Sequence, residues 1–462
     1  MKSASQPQGR LSLWDTTSII VGIIIGASIF RSLPLIAHNT TPISNLLHVN
    51  PLVGLGIAWA VGGLAAWMGA VCYAELASAY PEDGGTYVYL RRGLGRRTAL
   101  LYAWIEFWIV RPGNMGAVAF VLGRYAEQVL SLRGIVGQSF MPAETWWALL
   151  AVAAMTLLNL GGVTLEKWVQ NGLTIAKLGG LAVIVLLAFL VPLWRTEVAA
   201  VSPPTYPPNL GLAMVLIMFA YGGWSDVVNI AAEVREPQRN LTRALFLGLA
   251  AVVGVYLLTN LAFVTAFGFN GVRGASAVAA NVMELYFGNV GSIAISGLIV
   301  LSCLGAIHGM IFTTSRAFYA AGKDHPLLHW LGAWNEKREI PLRAVALQGV
   351  VTILLIALLG RSADGFERLV VFTGPFFWFA FVIVAYVLIS LRETDSTTHR
   401  PYLVPFYPIL PAAFAMTSLL MGFASVDYLR NNMQGYDWLW VLLVIVGGGL
   451  LVGFARESRK QA

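Results

Sequence analysis

Long apolar runs separated by short polar stretches dominate this chain. Twelve of them are long enough to span a bilayer as a helix, which needs about 20 residues. They lie near 14–34, 51–79, 98–130, 145–162, 168–193, 209–232, 243–268, 289–320, 342–359, 368–391, 404–425 and 436–455. The polar stretches are too short for a soluble domain. The pattern predicts an all-α integral membrane protein with twelve transmembrane helices.

The first and sixth spans are interrupted in matching places. The first contains Gly26-Ala27-Ser28 and runs into Arg31, and the sixth contains Gly222-Gly223 and runs into Ser225 and Asp226. Unwound backbone is tolerated in a membrane only where it is buried or lines a cavity. Two such discontinuous helices are typical of the substrate site of a secondary transporter, although glycines also serve close helix packing.

Each interrupted span opens a set of five spans. Because five is odd, the second set must enter the membrane from the opposite side, which predicts a 5+5 inverted repeat. The predicted divisions are a first repeat at 1–194, a second, inverted repeat at 195–392, and two additional helices with the C-terminus at 393–462. The proline-rich stretch 201–208 lies near the boundary between the repeats.

Composition and charge support this topology. The chain is 57% hydrophobic and 11% charged, too apolar for an ordinary soluble protein. Its formal net charge of +7 follows from lysines and arginines concentrated in the loops on one side. By the positive-inside rule, both termini are cytoplasmic in a cell (plasma or inner) membrane. The partner that this charge indicates is the bilayer, and no nucleic-acid partner is expected.

Cysteine usage and site chemistry narrow the function classes. The two cysteines, Cys72 and Cys303, fall inside predicted spans, so no disulfide-linked ancillary subunit is expected. The sequence contains no metal-ligand cluster and no nucleophile–base set. We therefore predict no catalytic residues, no metal, no cofactor and no enzymatic activity.

A broken helix offers two kinds of free backbone group. The N–H groups that begin one half carry partial positive charge and suit a carboxylate, whereas the C=O groups that end the other half suit an ammonium. A zwitterionic amino acid presents both groups on one carbon. Two breaks in register therefore indicate an amino acid as the small-molecule substrate.

A set of motifs across nearly the whole chain strengthens this interpretation. They are Gly26–Phe30 and Cys72–Leu76 in spans one and two, Gly84–Tyr87 in the next loop, Trp104–Glu106 and Arg111-Pro112 in span three, Phe219–Trp224, Glu233, Pro237 and Arg239–Leu241 around span six, and Ser302–Gly305 and Phe312–Arg316 in span eight. Together they resemble the amino acid–polyamine–organocation superfamily, and within it the L-type amino acid transporter branch.

The resemblance implies specific roles around the breaks. The substrate carboxylate is expected at the backbone of Ala27, Ser28 and Ile29, and the amine at the carbonyls of Ile25 and Phe219. Phe219 resembles an aromatic gate over the substrate, although a core aromatic is the alternative. The other predicted substrate-binding residues are Gly26, Asn114, Ala220, Gly222, Gly223, Ser225 and Phe376, with Trp224 as a second gate residue.

Lys177 lies in the middle of the fifth span, where a charge is costly and functional by default. In similar transporters a lysine here stands where sodium binds in sodium-driven relatives and bridges spans one and eight. The resemblance therefore implies sodium-independent transport. The alternative, a lysine that snorkels to the interface, is disfavoured by its depth in the span.

The chain departs from the family pattern at the ends of both breaks. Ser225 stands in place of an asparagine, Asp226 in place of an aromatic residue, and Arg31 in place of an apolar one. Arg31 and Asp226 are candidate specificity charges. They either pair with each other across the cavity or meet a charged or polar side chain of the substrate.

Further titratable residues lie inside or beside the spans. Glu106 and Arg111 are five residues apart, too far around an α-helix to pair well, so we expect structural partners elsewhere for both. Glu75 and Glu233 are expected to form structural or inner-gate ion pairs. His308 could titrate near neutral pH, but a satisfied core histidine is the favoured interpretation.

The sequence thus predicts a sodium-independent amino acid transporter that exchanges neutral amino acids by alternating access. The exchange mode is implied by the family resemblance. Three alternatives stay open: proton-coupled transport through Asp226, His308 or Glu106, a polyamine or organic-cation carrier of the same superfamily, and a non-transporting membrane sensor.

Overall fold

The computed structural model describes residues 9–25, 28–131, 141–190, 207–275, 277–360, 365–432 and 435–454. Over these ranges the chain is helical, apart from two isolated β-bridges, and each predicted span coincides with helix. The helices are α1 Leu13–Ile24, α2 Ser28–Asn39, α3 Thr41–Leu47, α4 Pro51–Ala79, α5 Thr86–Leu94, α6 Arg96–Val129, α7 Ala143–Asn159, α8 Val163–Leu190, α9 Leu210–Tyr221, α10 Pro237–Phe267, α11 Phe269–Gly274, α12 Val278–Asp324, α13 Leu342–Leu359, α14 Gly365–Thr394, α15 Ile409–Asn432 and α16 Gly435–Phe454.

The apolar helices have the dimensions of membrane spans. Within the described ranges nine are long and apolar enough to cross a bilayer, and the bent pair α1–α2 makes ten. The 17-residue α7 and the apolar stretch Leu439–Gly453 of α16 are shorter. Large apolar side chains such as Leu190, Phe423 and Leu442 face outward with more than half of their surface exposed, as lipid contact requires. The membrane class is confirmed, while the number twelve and the inverted repeat stay predictions.

The first predicted break separates α1 from α2. The axes of the two helices differ by 47°. Gly26 and Ala27, which the sequence analysis places in this break, lie outside the described residues. On either side, Ile25 ends α1 as its C-cap and Ser28 begins α2, so free carbonyls and free N–H groups point toward the same gap.

The second predicted break follows α9. Gly222 caps the helix through a 3.0 Å bond from its N–H to the Phe219 carbonyl, and a 3₁₀ segment, Trp224–Glu233, continues after Gly223. Gly223 has φ = +107°, a conformation that L side chains rarely adopt, and a Cβ there would stand 2.7 Å from Ile23 Cγ2. Glycine at 223 therefore lets the two broken helices touch.

Helix α6 contains a π-helical turn at Glu106–Val110. The N–H of Arg111 bonds to the carbonyl of Glu106, five residues back. Pro112 then removes the N–H that an α-helix would direct at Trp108, and the Trp108 carbonyl instead accepts a bond from Trp440 Nε1 at 3.3 Å. The turn rotates the rest of α6 and decides which of its side chains face the centre of the bundle.

Small residues bring α6 against α14. A Cβ on Gly113 would meet Thr373 Cγ2 at 2.1 Å, so only glycine permits this approach. At that crossing Thr373 Oγ1 donates to Asn114 Oδ1 at 3.1 Å. The contact fixes Asn114 at the centre of the bundle.

The amino-terminal strand of the described chain closes one end of the bundle, here called the N-terminal face. The N–H groups of Arg10 and Leu11 bond to the Glu233 carbonyl at 2.8 and 2.9 Å, and the Arg235 N–H bonds to the Leu11 carbonyl at 2.9 Å. This parallel bridge between Leu11 and Val234 ties the start of α1 to the end of the 3₁₀ segment. The two broken helices are thus joined at this face.

Candidate substrate site

A small cavity lies between the two breaks, where α1, α2, α6, α9, the 3₁₀ segment, α12 and α14 meet. Its volume is about 30 Å³, room for only a few waters on a scale where one needs about 10–15 Å³. The lining residues are Ile23, Ile24, Ser28, Arg111, Asn114, Val118, Phe219, Gly222, Gly223, Asp226, Met310 and Phe377.

Six of the predicted site residues lie in this wall: Ser28, Asn114, Phe219, Gly222, Gly223 and Asp226. Others lie behind it. Ile25, Ile29 and Ala220 are fully buried, Ser225 is nearly so, and Phe376 is half-buried, whereas its neighbour Phe377 reaches the cavity. One residue along a helix changes the direction of a side chain by 100°, which explains the exchange of Phe376 for Phe377.

The predicted gate residues occupy different positions. Phe219 lies in the wall, half-buried, with its ring 6.0 Å from Phe366 in an edge-to-face contact. Trp224 points away from the cavity, stacks on Phe381 at 5.4 Å and meets the edge of Tyr73. A gate role for Trp224 would therefore have to act through the packing beneath the site.

The carbonyl groups that end α1 have several donors around them. Ser302 Oγ donates to the Ile25 carbonyl at 3.0 Å, and Tyr256 Oη donates to the Ile24 carbonyl at 2.8 Å. A carbonyl oxygen has two lone pairs, so each can accept a second bond from a substrate amine. Tyr256 also packs edge-on against Trp59, which stiffens this end of the helix. Sequence reasoning missed Tyr256, since a tyrosine in an apolar span gives no distinct signal.

Lys177 connects the first broken helix to α12. Its Nζ donates to the Gly22 carbonyl at 2.7 Å and to the Ser302 carbonyl at 3.1 Å, and only 1% of its surface is exposed. No carboxylate in the described part of the chain pairs with it. The ammonium therefore faces backbone oxygens, the ligands that a hard cation would have.

Three charged side chains form a buried network below the cavity. Arg111 Nε donates to Glu106 Oε2 and Arg111 Nη1 donates to Asp226 Oδ1. All three residues are at most 7% exposed. We call Glu106, Arg111 and Asp226 the charge triad. With all three ionised, the triad carries one net negative charge.

The triad corrects one expectation from the sequence and excludes one of two alternatives that the sequence left open. Glu106 and Arg111 do pair, because the π-helical turn brings residues five apart onto one face, which an α-helix does not. Asp226 pairs with Arg111 and not with Arg31. The local signals for the turn were Pro112 and the five-residue spacing of opposite charges.

Arg31 lies toward the other end of the bundle. Its electrostatic neighbours include Arg124 and Tyr125 of α6 and the carboxylates of Glu144 and Glu367. Tyr125 is 14 residues beyond Arg111, which is about 20 Å along a helix. Arg31 is therefore remote from Asp226 and belongs to the entrance opposite the N-terminal face.

A second, smaller cavity lies on the far side of the triad. Its volume is about 10 Å³, and it is lined by Tyr87, Tyr102, Ala103, Glu106, Arg111, Asn229, Thr314, Ala317 and Phe318. Arg111 borders both cavities, while Asp226 lines the first and Glu106 the second. The triad thus separates the candidate substrate site from a polar space nearer the N-terminal face.

Ion pairs close the N-terminal face. Arg316 Nε donates to Glu233 Oε1 at 2.7 Å with both side chains buried, and Arg392 Nε donates to Glu75 Oε1 at 2.7 Å. The Val404 N–H adds a 2.7 Å bond to the Glu75 carboxylate. Glu75 thus anchors the connection between α14 and α15, whereas Glu233 belongs to the 3₁₀ segment that continues the second broken helix.

Asp83, in the loop between α4 and α5, adds a titratable group to this face. Its Oδ1 accepts a 3.0 Å bond from the Ala232 N–H. Burial, followed by the nearby Glu233 carboxylate, raises the pKa of Asp83 to about 7. Desolvation and like charge both disfavour its ionised form. Sequence reasoning did not single out this residue.

His308 is buried in α12, and neither ring nitrogen has a hydrogen-bond partner among the described residues. It lies two residues from Met310 of the cavity wall, which places its Cα about 200° away around the helix. The histidine therefore faces away from the candidate site.

The geometry of this chain agrees with its similarity to known proteins. The family model described as "Amino acid permease" matches residues 11–450. The chain belongs to this family. The permease is thus a multi-pass membrane protein of the amino acid–polyamine–organocation superfamily, as the motifs indicated.

Several curated proteins are similar to the permease. The human "Cystine/glutamate transporter" is 28% identical over 420 residues, 90% of this chain and 80% of its own length. The mouse "b(0,+)-type amino acid transporter 1" is 27% identical over 96% of this chain and 86% of its own length. The human "Large neutral amino acids transporter small subunit 2" is 30% identical over 75% of this chain and 64% of its own length. These relatives are transporters and not enzymes.

The words "small subunit" in the name of the third relative describe that protein as part of an assembly. In the permease Cys72 and Cys303 are both buried free thiols inside helices. Burial within the bundle keeps both sulfurs away from the surface that a partner could reach.

Proposed function

We propose that the permease is a sodium-independent exchanger of neutral amino acids that works by alternating access. The observation that carries this proposal is a cavity whose walls contain both broken helices, at Ser28 and at Gly222-Gly223. The ion pairs that close the N-terminal face support the second part, since a substrate can pass that face only when it opens.

The proposed binding mode uses the backbone. The substrate carboxylate meets the N–H groups at Ala27, Ser28 and Ile29, with Gly26 leaving room for it, and the amine meets the carbonyls of Ile25 and Phe219. Phe219 and Phe377 cover the substrate side chain. Asn114, fixed by Thr373, supplies one polar contact in the side-chain pocket.

Sodium independence follows in this proposal from Lys177. Its ammonium bonds to carbonyls of α1 and α12 and so fills, within the protein, the place of a bound cation. The ammonium at this position holds the first broken helix without an ion gradient. Transport then needs only a substrate on each side of the membrane.

We extend the proposal to the architecture. Two inverted five-helix repeats, 1–194 and 195–392, carry the two breaks, and the last two helices follow within 393–462. Both termini are cytoplasmic, so the N-terminal face is the inner gate of a cell-membrane protein. The buried positions of Cys72 and Cys303 support a transporter that works without a disulfide-linked subunit.

The test is exchange in proteoliposomes without sodium. Vesicles are loaded with unlabelled neutral amino acids, and uptake of a labelled one is followed with empty vesicles as the control. Uptake that requires internal amino acid, and that is unchanged by sodium, supports the proposal. Uptake into empty vesicles that follows a sodium gradient would contradict it.

Proton-coupled transport is a second candidate, because the triad lies between two cavities and carries one excess negative charge when all three groups are ionised. Uptake into empty vesicles that follows an inward proton gradient would favour it. An organic-cation carrier is less well supported, since the Asp226 carboxylate already bonds to Arg111. A sensor is distinguished from all of these by the absence of any flux.

A further inference from the structure

Arg111 is the only guanidinium in the wall of the cavity as the structure describes it. Two of its donor groups are already engaged, Nε by Glu106 and Nη1 by Asp226. A guanidinium is the protein group best matched to a carboxylate, which it binds through parallel N–H donors. The side chain of an acidic amino acid presents that same carboxylate.

Asp226 holds the position that such a side chain would take. It stands in the cavity wall, on the first turn after Gly223, and its carboxylate bonds to Nη1 of Arg111. Glu106 bonds to the same guanidinium from the other side and lines the second cavity. Of the two carboxylates that bond to Arg111, only that of Asp226 lines the candidate substrate cavity.

We propose that Asp226 is an internal substitute for a substrate side-chain carboxylate, and that it makes the permease reject acidic amino acids by occupying Arg111. This inference rests on the proposed function and adds the determinant of its substrate class. Two effects contribute to the rejection of acidic substrates. The Asp226 carboxylate accepts the hydrogen bond of Arg111 Nη1, and the net negative charge of the triad repels a second anion. Glu106 contributes to the charge in the same way but does not occupy the cavity.

The experiment compares variants that change the charge equally. Asp226→Ala removes one carboxylate on the cavity side and leaves space, and Asp226→Asn removes the charge without space. Glu106→Gln, the matched control, makes the same change in charge on the other side of Arg111. Exchange of a labelled neutral amino acid and of labelled glutamate is measured for each protein in sodium-free proteoliposomes.

We expect Asp226→Ala to raise the ratio of glutamate to neutral amino acid exchange at least tenfold above wild type. Glu106→Gln should leave that ratio within about twofold of wild type, because Asp226 still covers Arg111. The double variant Asp226→Ala/Arg111→Gln should lose the gain, since the guanidinium that receives the glutamate side chain is gone. This pattern supports occupancy of Arg111 as the selective feature.

Two results would overturn the inference. One is neutral amino acid exchange by Asp226→Ala without any glutamate exchange. The other is an equal gain in Glu106→Gln, which would leave charge as the cause and occupancy without a role. A wild-type protein that exchanges no neutral amino acid would instead contradict the proposed function, so the two failures differ.

A binding measurement covers the case of an inactive Asp226→Ala. The thermal unfolding of purified Asp226→Ala and wild type is followed with added glutamate or a neutral amino acid. Glutamate should raise the unfolding temperature of the variant and not of the wild type. A variant that is stabilised by the neutral amino acid and not by glutamate would count against the inference.

Discussion

The two breaks are held by buried cations of different character. At the first, the Lys177 ammonium bonds to carbonyls of Gly22 and Ser302. At the second, the Arg111 guanidinium bonds to the carboxylate of Asp226, and Glu106 adds a second carboxylate. The first break is therefore tied through its backbone dipoles, and the second through a side chain just beyond it.

This difference gives the cavity two sides of opposite charge. With Lys177 and all three triad groups ionised, the ammonium places a charge of +1 behind the first break and the triad places −1 beside the second. In a medium of low dielectric constant such charges act over the width of a small cavity. A zwitterion carries one group of each sign and can be attracted by both, whereas a molecule with one net charge is repelled by one of them.

The largest expected effect comes from removing the Lys177 ammonium, which bonds to carbonyls of Gly22 and Ser302 at the first break. Lys177→Met leaves two buried carbonyls without their donor, at about 1–3 kcal/mol each, so we expect exchange to fall about a hundredfold or more. Ser302→Ala removes only the hydroxyl bond to Ile25 and should cost about tenfold or less. Initial rates of counterflow in proteoliposomes check both. Near wild-type exchange by Lys177→Met would show that transport does not need the bonds of Lys177 to the first break.

Removing the Arg111 guanidinium, which bonds to Asp226 just beyond the second break, should affect stability most. Arg111→Gln leaves Glu106 and Asp226 buried side by side without a cation, at a cost of about 3–5 kcal/mol. Glu106→Gln keeps one complete ion pair and should be milder. Unfolding temperatures in detergent give the comparison. If both variants melted alike, the triad would not be the element that holds this break.

A third prediction compares two adjacent glycines. Gly223→Ala places a Cβ 2.7 Å from Ile23 and forces an L residue into a left-handed conformation, which costs about 1–2 kcal/mol. Position 222 has an ordinary φ of −65°, and a Cβ there would lie 3.1 Å from the Phe219 carbonyl oxygen and 3.5 Å from that of Met218. We expect Gly223→Ala to reduce exchange several-fold more than Gly222→Ala. Equal losses would argue against contact between the two breaks at Gly223.

The smallest effect concerns pH at the N-terminal face. In the closed face the pKa of Asp83 is about 7, and in water it returns toward about 4. The closed face therefore binds the proton more tightly, so acidification stabilises it and raising the pH toward 8 releases it. We expect exchange to rise a few-fold from pH 6 to pH 8, and Asp83→Asn to abolish this dependence.

The control for that measurement is Asp395→Asn. Hydrogen bonds from Thr398 and Tyr80 lower the pKa of Asp395, so its carboxylate stays ionised over the whole range. This variant should keep the wild-type pH profile. A profile that survives Asp83→Asn would assign the titration to another group.

The sequence was sufficient for the helical membrane class and for locating both breaks. Apolar runs of membrane length marked the long helices but not the short α3, α5 and α11, and Gly222-Gly223 marked the second break because local geometry there requires glycine. The length of α7 and the 3₁₀ form of Trp224–Glu233 could not be predicted, because both depend on packing against neighbouring helices. Periodicity alone cannot distinguish a 3₁₀ segment from a short α-helix.

The parts of the site that are formed by backbone groups could be predicted from the sequence, whereas most of the parts formed by side chains could not. Ser28 and Phe219 lie beside the breaks and could be located from them. A helix with 3.6 residues per turn predicts other partners for Arg111 and Glu106, whereas the π-helical turn brings the two side chains together. Phe377 and Met310 needed the rotation of α14 and α12, which no single-chain pattern supplies.

The bridge between Leu11 and Val234 has a practical meaning for handling this protein. It ties the first described residues to the N-terminal face, and α1 connects them to the candidate site. A folded fusion partner joined just before residue 9 would strain this bridge, whereas one joined after α16 would not. Reporters for transport studies are therefore better placed at the carboxyl end.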